Sequence, residues 1–111
     1  MVKKLAVAGS LCFALGWPTF SWADSDTDRT IRLIGVNATI NRAYVASATN
    51  TPPSNTSCGI YYSIDLSTVP GRAQYAAVVA AKVAGKKMSR IDYTFALPAG
   101  YCTVSLLEIS D

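Results

Sequence analysis

The chain predicts a mainly β fold with one helix, an α+β arrangement in the order β-β-β-α-β-β. Two observations carry this expectation. Short runs rich in Ile, Val, Leu, Tyr and Thr recur between clusters of turn-forming residues, as strands of a small sheet do. One stretch alone, Pro70 to Lys87 (PGRAQYAAVVAAKVAGKK), has sustained helical composition, and three strand-like runs precede it while two follow.

The helix comes first because the rest is arranged around it. Tyr75, Val78, Val79 and Val83 recur at helical spacing and predict the face that packs on the sheet, while the interspersed alanines allow a close approach. Pro70 suits the first turn, where its missing N–H has no helical partner, and Ser67 or Thr68 can cap from just upstream. Gly85 is the natural left-handed stop, with Lys82, Lys86 and Lys87 near the negative end of the helix dipole.

Residues 1–23 read as an export signal. Lys3 and Lys4 open it, Leu5 to Gly16 is an apolar run too short to span a membrane, and Ser21-Trp22-Ala23 places small residues where a signal peptidase looks, with cleavage after Ala23. Cys12 lies inside the apolar run, behind Leu11 rather than the small residue a lipid-attachment site calls for. Removing 23 of 111 residues leaves 88, enough for one small domain with a thin core. Ten basic residues less Lys3 and Lys4 leave eight against seven acidic ones, a charge of about +1. A near-neutral exported protein with no membrane span after cleavage is expected in the periplasm or secreted, and strong electrostatic binding of nucleic acid is disfavoured.

Asp24 to Arg29 is polar and acidic, so a flexible leader is expected there, followed by a single domain over 30–111. Thr30–Val36 and Arg42–Ala48 read as the first two strands, and Gly35 marks a bulge or sharp coil in the first. Thr49 to Ser57 (TNTPPSNTS) is a loop longer than a connection needs, and long loops on a rigid scaffold often carry recognition, which makes Asn55 a candidate contact. Cys58–Leu66 is the third strand, with Tyr61, Ser63 and Asp65 opposite Ile60, Tyr62 and Ile64. Met88–Phe95 and Tyr101–Ile109 close the set. In the last of these Cys102, Val104, Leu106 and Glu108 share one face.

Three strands, a helix and two strands is the order of the five-stranded Greek-key barrel known as the OB fold. Cys58 and Cys102 are the cysteines left after signal removal, and an even pair in an exported chain predicts a disulfide joining the third strand to the fifth. A metal site is disfavoured, because there is no CxxC pair and no His in the chain. The missing His also argues against acid–base or nucleophilic catalysis, and no phosphate loop or nucleophile elbow is present, so neither an enzyme nor a cofactor is expected. Aromatic residues remain as recognition candidates: an outward set of Tyr44, Tyr61 and Tyr93 could stack on sugar rings or bases.

The segments CGIYYSIDL, YAAVVAAKVAGKKMSRI and CTVSLLEI, spanning Cys58 to Ile109, resemble a group of small exported bacterial proteins that includes the cell-binding B subunits of subtilase-type A-B toxins. The resemblance implies an OB-type barrel that assembles into a homo-oligomeric ring and binds cell-surface glycans. The expectation is therefore a non-catalytic exported binding module for a glycan or cell-surface ligand. The alternative is a periplasmic structural or inhibitory protein that binds another protein.

Overall fold

The computed structural model describes residues 21–111, with side chains from Ala23 onward. Of the expected signal, residues 1–20, including Cys12, lie outside the described residues. Six strands form one sheet: β1 (Ser21–Arg29), β2 (Leu33–Asn37), β3 (Arg42–Ala46), β4 (Tyr61–Asp65), β5 (Lys87–Ala96) and β6 (Tyr101–Ser110). Their order across it is β1-β5-β6-β4-β3-β2, and helix α1 (Val69–Ala84) links β4 to β5. Neighbours are antiparallel except β4 and β6, which run parallel.

The mainly β class, the single long helix and the Cys58–Cys102 disulfide are those expected. The five-stranded closed barrel is corrected in two ways: there is a sixth strand, and the sheet stays open. The sixth strand is the segment expected as a flexible leader. Residues 24–29 belong to β1 and pair along β5, from Asp24 opposite Tyr93 to Arg29 opposite Met88. This strand has no apolar stripe; what fixes it is Asp26, turned inward and only 4% exposed. Although consecutive in sequence, β1 and β2 lie at opposite edges of the sheet and are joined by Thr30, Ile31 and Arg32. Four residue steps from Arg29 to Leu33 reach at most roughly 14 Å, so the sheet curls until its edges nearly meet. Among the described residues no ladder joins those edges; Arg32 N–H donates instead to the Ala46 carbonyl at 2.9 Å.

Helix α1 is set by its ends. The Thr68 hydroxyl accepts from Gly71 N–H at the start, and Gly85 adopts the left-handed conformation (φ 72°) at the stop, its N–H and that of Lys86 returning to the carbonyls of Lys82 and Ala81. The buried stripe is Gly71, Val78 and Ala81, with Tyr75 packed partly against the core. Val79 and Val83, expected on that face, point outward, Val83 being 85% exposed. Small residues make the contact because the helix start lies on β4: a β-carbon at Gly71 would stand 1.7 Å from the Asp65 carbonyl oxygen. Backbone cannot yield cheaply there, so Gly71→Ala is expected to cost about 2 kcal/mol or more, read as a lower urea midpoint at unchanged slope.

The largest fully buried side chains are Tyr62, Tyr93, Ile64, Met88, Ile91, Val45 and Val78. Tyr62 and Tyr93 meet edge to face at 5.2 Å between ring centroids. Irregular pairing decides which faces reach this core. A register shift between Met88 and Arg90 brings Met88 onto the inner side with Ile91, Tyr93 and Phe95, although strict alternation would oppose it to them. A second shift, where Asp92 faces Leu106 and Tyr93 faces Val104, turns Leu106 outward and sets Leu107 and Ile109 against the core. The expected face of Cys102, Val104, Leu106 and Glu108 is thus broken after Val104. Ile60, expected to share a face with Tyr62, precedes β4 and is exposed.

Candidate functional site

Alternation puts Ala43, Val45, Tyr62, Ile64, Cys102 and Val104 in the core, which leaves Arg42, Tyr44, Tyr61, Ser63, Asp65, Tyr101 and Thr103 on the outer face of β3, β4 and β6. Pairing then aligns them across strands. Gly35 is opposite Tyr44, Tyr44 opposite Ser63, and Ser63 opposite Thr103; one step along, Asn37 is opposite Arg42 and Arg42 opposite Asp65.

Arg42 organises this face. Its guanidinium lies 4.0 Å over the Tyr101 ring, a cation–π contact. Nη1 donates to the hydroxyls of Ser63 at 2.8 Å and Thr103 at 3.1 Å, and Nη2 stands 4.0 Å from the Asp65 carboxylate. Asp65 is held below its ordinary carboxylate value chiefly by the Ser67 hydroxyl and backbone N–H that donate to it, with a smaller contribution from Arg42. Beside this group the Tyr44 and Tyr61 rings meet edge to face at 5.0 Å. Beside the two aromatic sets opens a groove of about 410 Å³, lined also by Asn37, Ile40, Gly100, Cys58 and Cys102. The disulfide, with Cα atoms 5.6 Å apart, ties the approach to β4 to β6 and so joins the two walls.

Gly35 sets the Tyr44 wall. A β-carbon there would stand 2.2 Å from Tyr44 Cζ, because the ring lies across β2 where only hydrogen leaves room. The obstruction is the far end of a side chain that can swing away. Gly35→Ala is therefore expected to leave the unfolding midpoint nearly unchanged while separating the Tyr44 and Tyr61 rings, read from the ring-current shifts of the two tyrosines.

The structure brings together Tyr44 and Tyr61 of the expected outward set and removes Tyr93 from it. Tyr93 is fully buried, because it alternates onto the inner side of β5 together with Ile91 and Phe95. Its hydroxyl meets Ser54 Oγ and accepts from Asn55 N–H, both at 3.2 Å. Asn55 is also committed: its Nδ2 donates to Asp24 Oδ2 at 2.8 Å, and its Oδ1 accepts from Ser57 N–H at 2.9 Å. The loop over residues 49–57, expected as a recognition loop, is thereby fastened to β1. At the centre, Asp26 accepts from Tyr62 Oη at 2.7 Å, from Ser54 N–H at 3.1 Å and from the Ser54 hydroxyl, while Arg29 bridges from Asp26 at 3.8 Å to the Pro52 carbonyl at 3.2 Å. Burial pushes the Asp26 carboxyl up, but the donors from Ser54, Tyr62 and Tyr93 outweigh it and hold the group below its ordinary value. Tyr62 is displaced well above the tyrosine range, by burial first and by its bond to Asp26 second.

Arg42, Ser63 and Tyr101 were not among the expected site residues. The signal for two of them lies in strand parity: Arg42 shares its side with Tyr44, and Ser63 with Tyr61. Tyr101 needs the parallel β4–β6 pairing, which no local pattern announces. Among the described residues no group of three or more metal-ligating side chains occurs. No protein-family model, no curated protein and no solved structure matches this chain.

Proposed function

We propose that this chain is a non-catalytic exported module that binds glycan in the outer-face groove of β3, β4 and β6. The observation that carries the reading is the groove itself: three tyrosines and a stacked arginine converge on one concavity with hydroxyl and amide groups between them. Sugars offer C–H faces to aromatic rings and hydroxyls to such groups. On an OB-type reading of the open sheet, the groove would correspond to the face on which OB folds take their ligands. On that reading β1 and β2 would count as one strand interrupted at residues 30–32. Single-stranded nucleic acid would fit the rings but calls for a basic groove, and here Arg42 is the one basic residue of the lining. Export is supported by the disulfide, and no helix among the described residues is long and apolar enough to cross a membrane. The resemblance of residues 58–109 to toxin B subunits agrees with a sugar ligand and with assembly into a ring.

A glycan array probed with the oxidised protein tests the reading. The native protein is expected to be retained on a defined set of sugars, and Tyr101→Ala to weaken that retention by about tenfold, the worth of one stacking platform. Circular dichroism of the variant checks that its fold persists. No retention, or retention that Tyr101→Ala leaves intact, contradicts the reading. A protein ligand is the second reading. It is favoured by β2, an edge strand that exposes Leu33 and Val36 and offers free backbone for strand addition.

A further inference from the structure

Resting on the glycan reading, we infer that the groove is redox-gated: the Cys58–Cys102 bridge holds it in shape for sugar, and a dithiol reductant releases the sugar by opening the bridge. The groove crosses the thinnest seam of the sheet. Among the described residues β4 and β6 share one registered pair, Ser63 with Thr103, whereas β5 and β6 pair from Lys87 opposite Ser110 to Ala96 opposite Tyr101. Tyr44, Tyr61 and Ser63 line the groove from one side of that seam, and Gly100 and Tyr101 from the other. The bridge fastens the two sides covalently. Arg42 assists it, donating from Nη1 to Ser63 on β4 and to Thr103 on β6. Those part-buried hydrogen bonds can be exchanged for bonds to water, and the bridge cannot.

Cys58 ends a single turn, Thr56–Cys58, that buries none of its residues fully, and Tyr61 opens β4 three positions later. With the bridge cut, this approach to β4 is free to move from β6. Tyr61 and Tyr101 then lose their spacing, while Tyr62, Ile64, Ile91 and Tyr93 still close the core. Access directs the chemistry to Cys58, part-exposed in the groove lining, since Cys102 is only 2% exposed. A thiolate of the dithiol attacks Cys58 Sγ, the S–S bond breaks, and Cys102 Sγ leaves as a thiolate and takes up a proton. The second sulfur of the reagent then displaces Cys58 Sγ, which is protonated in turn, so two electrons and two protons pass to the protein and the dithiol becomes a disulfide. Coupling of this kind is reciprocal. A tenfold loss of sugar affinity on reduction requires that bound sugar make the bridge tenfold harder to reduce, about 30 mV for a two-electron couple.

The test equilibrates the native protein in buffers of graded reduced-to-oxidised dithiothreitol. Free thiols are counted by alkylation and mass, and binding of one labelled oligosaccharide retained on the array is read by fluorescence anisotropy on the same samples. Affinity is expected to fall at least tenfold in step with bridge opening and to return on reoxidation, with the far-ultraviolet circular dichroism of the sheet retained. Saturating sugar is expected to move the midpoint of reduction by the same factor, and Cys58→Ala/Cys102→Ala to bind like the reduced protein at every ratio. Tight binding by the reduced protein or by that variant, or a midpoint that sugar does not move, overturns the gating and leaves the glycan reading standing. Loss of the sheet signal together with binding also overturns it, because the bridge is then a staple of the whole fold. Absence of binding by the oxidised protein to every sugar overturns the glycan reading itself and this inference with it.

Discussion

Reducing the Cys58–Cys102 disulfide is expected to lower the free energy of unfolding by about 4 kcal/mol. The bridge closes a loop across 44 positions, and freeing it restores to the unfolded chain the conformations that closure removed. A domain of this size holds about 5–10 kcal/mol in all, so the reduced protein is left close to its unfolding threshold. Denaturant titrations of oxidised protein and of a Cys58→Ala/Cys102→Ala variant measure the difference without interference from thiol exchange. The groove is expected to fail before the fold does, because Cys58 and Cys102 belong to its lining. Sugar binding by the reduced protein should therefore disappear under conditions in which far-ultraviolet circular dichroism still reports a sheet. A loss under about 1 kcal/mol would mean that the bridge merely decorates contacts that are sufficient alone.

Asp26→Ala is expected to cost about 3–5 kcal/mol, in the range of a broken buried charge pair. The carboxylate gathers Tyr62, the hydroxyl and N–H of Ser54, and Arg29, and its removal leaves the buried Tyr62 hydroxyl and these partly buried donors without their acceptor. Three pieces of the fold depend on it: the β1 edge, the residue 49–57 loop, and the Tyr62–Tyr93 pair. The pH dependence has a definite sign. The folded protein holds the Asp26 carboxyl below its unfolded value, so its contribution is fully present above the ordinary carboxylate range and is lost as the pH falls through the lower folded value. Asp26→Asn removes that term. The stability gap between native protein and Asp26→Asn should be widest near pH 7 and should shrink steadily below about pH 4. A gap that stays constant across the acid range would show that Asp26 acts through shape alone.

Most of the domain was legible because its local signals agree. Thr68 and Gly85 bracket a run of helix formers, and residues such as Tyr62, Ile64 and Val45 sit in runs of strand composition. Strand β1 was illegible for a physical reason. SWADSDTDR has no apolar stripe, and its burial rests on one carboxylate satisfied by groups 28 and 36 residues away, a match that no local pattern contains. The two register shifts in β5 and β6 explain the wrong faces, since each moves every later residue to the opposite side. Within the site, Tyr44 and Tyr61 could be read from alternation, whereas the meeting of Arg42 with Thr103 spans 61 residues and depends on a parallel pairing across the helix. Tyr93 was misread because an aromatic residue on a strand looks the same in a sequence whether it faces a ligand or the core.

The groove beside Tyr44, Tyr61 and Tyr101, on one face of the sheet, is the proposed sugar site. The most direct measurement is an amide and arginine side-chain NMR titration of the oxidised protein with a neutral oligosaccharide taken from the array. The account predicts saturable shifts concentrated on Asn37, Arg42, Tyr44, Tyr61, Ser63 and Tyr101, with the β1 and residue 49–57 amides unmoved. Shifts centred on that loop or on the outer face of α1, with the groove silent, would contradict it.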